Sequence, residues 1–334
     1  MTMTMRHVLA ARSSGLITRQ EATIRHHISH AGSQTGDGGV LAAAAEAGPR
    51  EALRLGLDSA RASQNVLRLL ESSHGSFSRC ADASSAAWHP SGVRWTRDGS
   101  ADWARSTHEE QGAPSAPSPT SGAGSVPRLA WLNFSDDRTA LAKLVGGDGL
   151  RRYVSLLRLD PDAKARGGAT QSIPSNDGWC IVREVLQGAD DGDRPSVESV
   201  VPALRNYLSI EHGGGATDAA RARELFAPGA SLVSVGTAPP EERRTDWSAP
   251  TGSLLEISLD AYLRGVEDQS PHPDEARAHD RITQLDLMPS AAAATVHVGN
   301  GARTALFVDH LLLGHHEGRW QILSKTFSPR AYPS

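Results

Sequence analysis

Cysteine is almost absent: Cys80 and Cys180 are the only two in 334 residues, and no CxxC or other metal-ligand spacing occurs. A disulfide framework is excluded, and a zinc site is not expected. No apolar run approaches the ~20 residues needed to cross a bilayer, so a soluble protein with no membrane partner is expected. A basic excess is missing too: 34 Lys and Arg stand against 38 Asp and Glu, a net charge of −4. Nucleic acid, whose phosphates require a positive footprint, is not an expected partner. Aromatics make up only 5% while Gly, Pro, Ala and Ser are plentiful, which predicts sizeable loops or tails. No Ser-His-Asp order, P-loop, dinucleotide fingerprint or His-Glu-x-x-His run occurs, so triad, nucleotide and metallopeptidase chemistry fall away and no cofactor or metal is expected.

At roughly 150 residues per domain, the length predicts two domains plus tails. Residues 1–50 read as a tail. Its first thirty positions hold Arg6, Arg12, Arg19 and Arg25 against one acid, Glu21. That is the composition of a mitochondrial or plastid transit peptide and equally of a disordered segment, so an intracellular site, cytoplasmic or organellar, is expected. His26, His27 and His30 cluster there without the rigid second shell that fixes metal ligands. Asn133-Phe134-Ser135 matches a glycosylation acceptor with nothing resembling a secretory signal before it, and is discounted. Gly112 through Ser125 is uncharged Pro, Ser, Gly and Ala, too poor in apolar side chains to offset its ordering entropy, and is expected to be disordered. The acidic run from Gly188 to Pro195 breaks periodicity and reads as an interdomain linker.

Beyond the linker, Val197, Val200, Val201, Leu204 and Leu208 recur at helical spacing behind Ser196 or Ser199 as cap, with Pro202 tolerable only within the first turn. A second helix is predicted from Asp218 to Phe226 behind Thr217, then a strand from Ser231 to Val235. Ser258 caps a third helix with the stripe Leu259, Tyr262, Leu263 and Val266. Four strand-like runs follow: Ile282 to Leu287, Ala292 to Val298, Thr304 to Leu313 and Trp320 to Phe327. Upstream, Thr139 to Leu144, Arg152 to Leu159 and Trp179 to Val182 mirror Ala293 to Val298, Leu306 to Leu313 and Trp320 to Leu323, and Trp88-His89-Pro90 sits where Phe226-Ala227-Pro228 does. The expected organisation is therefore a degenerate first domain over 51–187, a linker over 188–195, a second domain over 196–328 and a tail over 329–334.

Leu225-Phe226-Ala227-Pro228-Gly229-Ala230, Phe307-Val308-Asp309-His310-Leu311-Leu312-Leu313 and Gly318-Arg319-Trp320-Gln321-Ile322-Leu323-Ser324-Lys325 resemble the nuclear transport factor 2-like superfamily, in its SnoaL-like, lumazine-binding-type branch. The resemblance covers nearly all of the second copy and, in the first, the strands and the Trp88 turn. It implies an α+β fold of two cone-shaped domains, each a curved, mostly antiparallel sheet wrapped around three helices. That family includes isomerases, dehydratases, polyketide cyclases, ligand carriers and assembly domains, so the fold alone licenses no reaction.

One constellation bears on chemistry. A three-residue loop closing on Gly318 would set Asp309 opposite Lys325, Phe307 opposite Phe327 and Leu311 opposite Leu323. An acid and an amine would then share an apolar face, where burial raises the acid's pKa and the cation lowers it. A four-residue loop would bring His310 diagonally to Lys325 instead. By the resemblance this face lines the cone, and Asp309 or His310 would serve as proton acceptor; a structural ion pair is the plainer reading. Ser155 and Glu184 are the matching positions of the first copy. Tyr207, Trp247, Phe307 and Trp320 are candidate ligand contacts, with His297 as a further one. Two functions follow as expectations: a non-catalytic module packed through sheet faces such as Val308, Leu312 and Ile322, binding a small apolar or aromatic ligand or a protein, and a cofactor-independent isomerase, dehydratase or cyclase.

Overall fold

The computed structural model describes residues 88–97, 102–107, 128–136, 138–146, 150–160, 178–188, 196–236, 249, 251–272, 274–300 and 305–331. The N-terminal tail, Gly112 to Ser125, most of the linker and Trp247 lie outside them.

Two six-stranded sheets are built to one plan. The first contains β1 (Trp88–Arg97), β2 (Ala104–Thr107), β3 (Arg128–Phe134), β4 (Thr139–Val145), β5 (Arg151–Arg158) and β6 (Trp179–Gln187), in the order β2-β1-β6-β5-β4-β3. The second contains β7 (Phe226–Val235), β8 (Leu254–Ser258), β9 (Arg281–Leu287), β10 (Ala291–Asn300), β11 (Ala305–His316) and β12 (Arg319–Ala331), in the order β8-β7-β12-β11-β10-β9. Each sheet has one parallel pair, β1 with β6 and β7 with β12, and is otherwise antiparallel. The described helices are α1 (Val197–His212), α2 (Gly215–Leu225), α3 (Leu259–Asp268) and the single turn α4 (Asp274–Arg277). The fold is α+β with two sheet bodies.

Helix α1 buries Val200, Leu204, Tyr207 and Ile210, a stripe at helical spacing, against the inner face of the second sheet; of the expected stripe Val201 and Leu208 are only half-buried and Val197 is exposed. Pro202 falls beyond the first turn, where it was expected to be tolerable; it removes one main-chain bond, and the buried stripe outweighs that loss. Ser258 caps α3 through its Oγ, which accepts the Ala261 N–H at 3.2 Å. Helix α2 starts at Gly215, ahead of the expected Asp218, because the break falls at Gly213-Gly214. Strand β7 begins at Phe226 and runs through Pro228, longer than the predicted Ser231 to Val235.

The last hairpin corrects the expected register. Glu317 and Gly318 form a two-residue turn with φ of 48° and 78°, so His316, not His315, faces Arg319. A bulge at Leu323 then shifts the ladder once more, setting Asp309 opposite Phe327 and Leu311 opposite Lys325. The turn and the bulge each move the register by one. Their sum is two, which restores parity, so Asp309 and Lys325 still share a face although they are diagonal neighbours. Between turn and bulge parity is reversed: Ile322, expected on the outer face, joins the inner core and Leu323 takes the outer one.

The first sheet repeats this register. Ser155 faces Arg183 and Leu156 faces Ile181, with a bulge at Val182, as Leu312 faces Ser324 and Leu313 faces Ile322 with the bulge at Leu323. Trp88 pairs with Ile181 as Phe226 pairs with Ile322, and Arg94 with Glu184 as Leu232 with Lys325. The position matching Asp309 is therefore Arg152, not Ser155.

The outer faces of the two sheets meet in a seam. Val93, Trp95, Leu141, Tyr153 and Val185 pack with Ala227, Met288, Ala291, Ala293, Leu312 and Leu323 in one cluster. Leu157, Leu159, Cys180 and Val182 pack with Val233 and Val235 in another. Polar groups bridge the seam: Trp131 Nε1, Lys143 and Tyr153 all donate to Asp286, and Arg183, fully buried, reaches Glu256 and the Ser231 hydroxyl at 2.6 Å each. The Asn133 amide is committed here as well, donating to Gln284 at 2.7 Å.

Candidate functional site

Inside the second sheet, five side chains from four elements converge. Helix α1 contributes Tyr207 and Glu211, one turn apart and so on one face, α3 contributes Tyr262, β11 Asp309 and β12 Lys325. The Lys325 amine donates to Glu211 Oε1 at 2.7 Å and lies 3.3 Å from Asp309 Oδ2. Tyr207 donates its hydroxyl to the same Asp309 oxygen, and Tyr262 donates to Glu211 at 2.8 Å. The rings of Tyr207, Tyr262 and Phe327 surround the amine at 5.0, 5.6 and 5.6 Å. Asp309 is fully buried and its second oxygen, Oδ1, has no hydrogen-bond partner. Glu211, with 18% of its side chain exposed, is the member nearest solvent.

Two carboxylates share one amine, and the titration follows from that count. Burial pushes the Asp309 carboxyl up to about 6; Lys325 opposes the shift and Glu211 adds to it. Burial acts on Glu211 in the same direction, but Lys325 and the hydrogen bonds made to it hold this carboxyl below its ordinary value. Burial works against the Lys325 charge, and the two carboxylates outweigh it and raise the amine. Burial and the neighbouring acids keep both tyrosines well above the ordinary phenol range. The cluster thus takes up one proton near pH 6 and carries one negative charge above it.

The other sequence candidates are placed elsewhere. His310 projects from the opposite side of β11 into the seam, between the hydroxyls of Ser135 and Thr295. It takes no part in the cluster, because residues alternate faces along a strand. His297 alternates outward in the same way, between the inward Val296 and Val298. Phe307 lies beside Phe327, ring centroids 6.5 Å apart, on the inner face beyond the ion cluster. Trp320 sits toward the hairpin turn and donates to Ser199 Oγ at 3.1 Å. Trp247 lies outside the described residues.

The sequence reading leaves Glu211 out and takes Tyr262 only as part of the α3 stripe. Glu211 continues the α1 stripe one turn beyond Tyr207, and a charge in line with a buried stripe was the available signal. Among the described residues, hollows of about 360 Å³ between α2 and α3 and about 370 Å³ between α1, α2 and the last hairpin mark the second half; Asp309 lines neither of these. Among the described residues no group of three or more His, Cys, Asp or Glu side chains is arranged to hold a metal ion, and no helix is long and apolar enough to cross a membrane.

A curved, mostly antiparallel sheet folded over α1 and α3, with an ion cluster in its interior, defines a cone-type α+β domain. Residues 195–328 match the family described as "Putative lumazine-binding", which is of nuclear transport factor 2-like type, and the paired sheets fit a tandem arrangement. Similar solved structures are proteins described as NTF2-like and of unknown function. That from Silicibacter pomeroyi is 22% identical and covers 40% of this chain and 95% of its own, with a TM-score of 0.32. That from Shewanella baltica is 19% identical over 41% of this chain and 98% of its own, TM-score 0.32. A third, from Methylobacillus flagellatus, is 20% identical over 41% and 96%, TM-score 0.30. No curated protein matches the chain.

Proposed function

We propose that the chain is a tandem-cone assembly module, in which a first domain over 51–187 and a second over 196–328, joined by the 188–195 linker, pack through their sheets as a pseudo-dimer. The second cone is the half that engages a small apolar or aromatic ligand, and the first supplies the partner surface. The seam is the observation that supports this reading: Leu312, Leu323, Ala291 and Ala293 are buried against Val93, Trp95, Leu141 and Tyr153. An apolar face of this kind, left uncovered, drives association. The full chain is expected to run as a monomer in native mass spectrometry and size analysis at micromolar concentration. A truncated chain beginning at Asp193 is expected to dimerise or aggregate, and its behaving as a soluble monomer with no apolar patch defeats the reading.

One observation favours a second reading, that of a cofactor-independent isomerase, dehydratase or cyclase. Asp309 keeps an unpartnered buried oxygen, and its carboxyl is held near pH 6, in the range of a working general base. The expected result is deuterium exchange at the carbon next to the carbonyl of small cyclic ketones, faster than in buffer and lost in Asp309→Asn. Exchange at the buffer rate in the unmodified chain leaves the assembly reading alone.

A further inference from the structure

Because the sheets share strand order, register and bulge, each position of β6 has a counterpart in β12. Trp179 matches Trp320, Ile181 matches Ile322 and Val182 matches Leu323. These three side chains are buried in both sheets and of similar size, so the apolar inner and seam positions they fill do not tell the strands apart, whereas the seam-facing Arg183 stands against Ser324. Both slots are interior ones: β6 lies between β1 and β5, and β12 between β7 and β11.

The inner charges differ, and they differ by inversion. In the first sheet the fully buried Glu184 of β6 takes Arg94 from β1 and Arg152 from β5, the latter at 3.4 Å. In the second sheet the matching Lys325 of β12 takes Asp309 from β11, the counterpart of Arg152, and Glu211 from α1. One strand brings an acid to two cations; the other brings a cation to two acids.

We infer that this inversion assigns each interior strand to its own sheet, so that the two copies do not exchange β6 and β12 during folding. Exchange would seat Lys325 beside Arg94 and Arg152, a third cation in the place of the acid that both contact. It would seat Glu184 beside Asp309 and Glu211, three carboxylates with no cation. Uncompensated buried charge is among the costliest arrangements a fold can contain, and repulsion in the wrong pairing is an efficient source of discrimination. Tandem copies of one fold are prone to this error, since neighbours of like topology misassemble by swapping equivalent elements.

The test makes the inner charges of the copies alike and leaves the seam-facing Arg183 and Ser324 as they are. Arg94→Leu, Arg152→Asp and Glu184→Lys together give the first sheet the inner residues of the second, Leu232, Asp309 and Lys325, and retain an acid–amine pair. Full-length chains are unfolded in guanidinium and diluted, and the monomer fraction is read by size-exclusion chromatography beside the equilibrium unfolding midpoint. The triple variant is expected to keep a midpoint close to that of the unmodified chain and to lose at least about five-fold in refolded monomer, with swapped oligomers appearing. A second variant, Glu211→Arg, Asp309→Arg and Lys325→Glu, gives the second sheet the polarity of the first and is expected to show the same loss. Recovery equal to the unmodified chain in both variants overturns the inference. Losses that only track a lowered midpoint overturn it too, since the charges would then act by plain stabilisation.

Discussion

Lys325→Met is expected to destabilise the protein by about 3–5 kcal/mol, enough to remove most of a domain's margin. The replacement fills the volume and leaves two carboxylates buried without their cation. Asp309→Asn should behave in the opposite way. The Tyr207 hydroxyl keeps an acceptor, Lys325 keeps Glu211, and the charge count inside the cone falls to zero. The sign follows from linkage. A carboxyl whose folded value is raised contributes stability that is full below its ordinary range and lost as pH rises through about 6. At pH 7 that contribution is gone, so Asp309→Asn is expected to be neutral or to gain about 1 kcal/mol, and to flatten the stability profile between pH 4 and 7. Chemical denaturation at a series of pH values measures both variants. A Lys325→Met protein as stable as the unmodified chain would mean that the cluster is not ionised as described.

Leu323→Asp is expected to cost about 4 kcal/mol or more, because an unpaired carboxylate in an apolar seam can be neither solvated nor matched. Leu323 is 1% exposed and packs among Leu312, Ala291, Ala293 and residues of the first sheet. The effect tests the seam and not the cone, since the neighbouring Ile322 points the other way. Limited proteolysis and dye binding should report sheets that come apart. A change within about 0.5 kcal/mol, the range of ordinary surface substitutions, would show that this face is open to water in solution.

What was legible in the sequence lies where local physics decides alone. The α1 helix with Val200 and Leu204 on its buried side, the Ser258 cap and the four-strand meander are matters of period and capping. Trp88-His89-Pro90 and Phe226-Ala227-Pro228 occupy matching places in the two parallel pairings, as their sequences suggested. The Asp309–Lys325 pairing came from a register wrong at the turn, and the structure brings the two together only because an unmarked bulge supplied a compensating shift. Nothing in Leu323 or Val182 announces that bulge; neither is Gly. Mirroring Arg152 to Leu159 on Leu306 to Leu313, three residues out of the structural register, placed Ser155, instead of Arg152, against Asp309 and hid the inverted charges. The seam partners of His310 come from Ser135 and Thr295, far apart in sequence, and no periodicity could bring them together. Glu211 sits near the end of α1, and only the sheet folded over it makes its charge an interior one.

The interior position of β6 and β12 has a consequence for how the protein is made. Each half delivers the middle of its sheet last, so β1 has no parallel neighbour until Trp179 to Gln187 have left the ribosome, and β7 none until Arg319 onward has followed. Emergence in that order lets the first sheet close while the only finished candidate for its gap is the right one. Vectorial synthesis and the electrostatic code therefore guard the same step, and a chain released all at once has only the second of them.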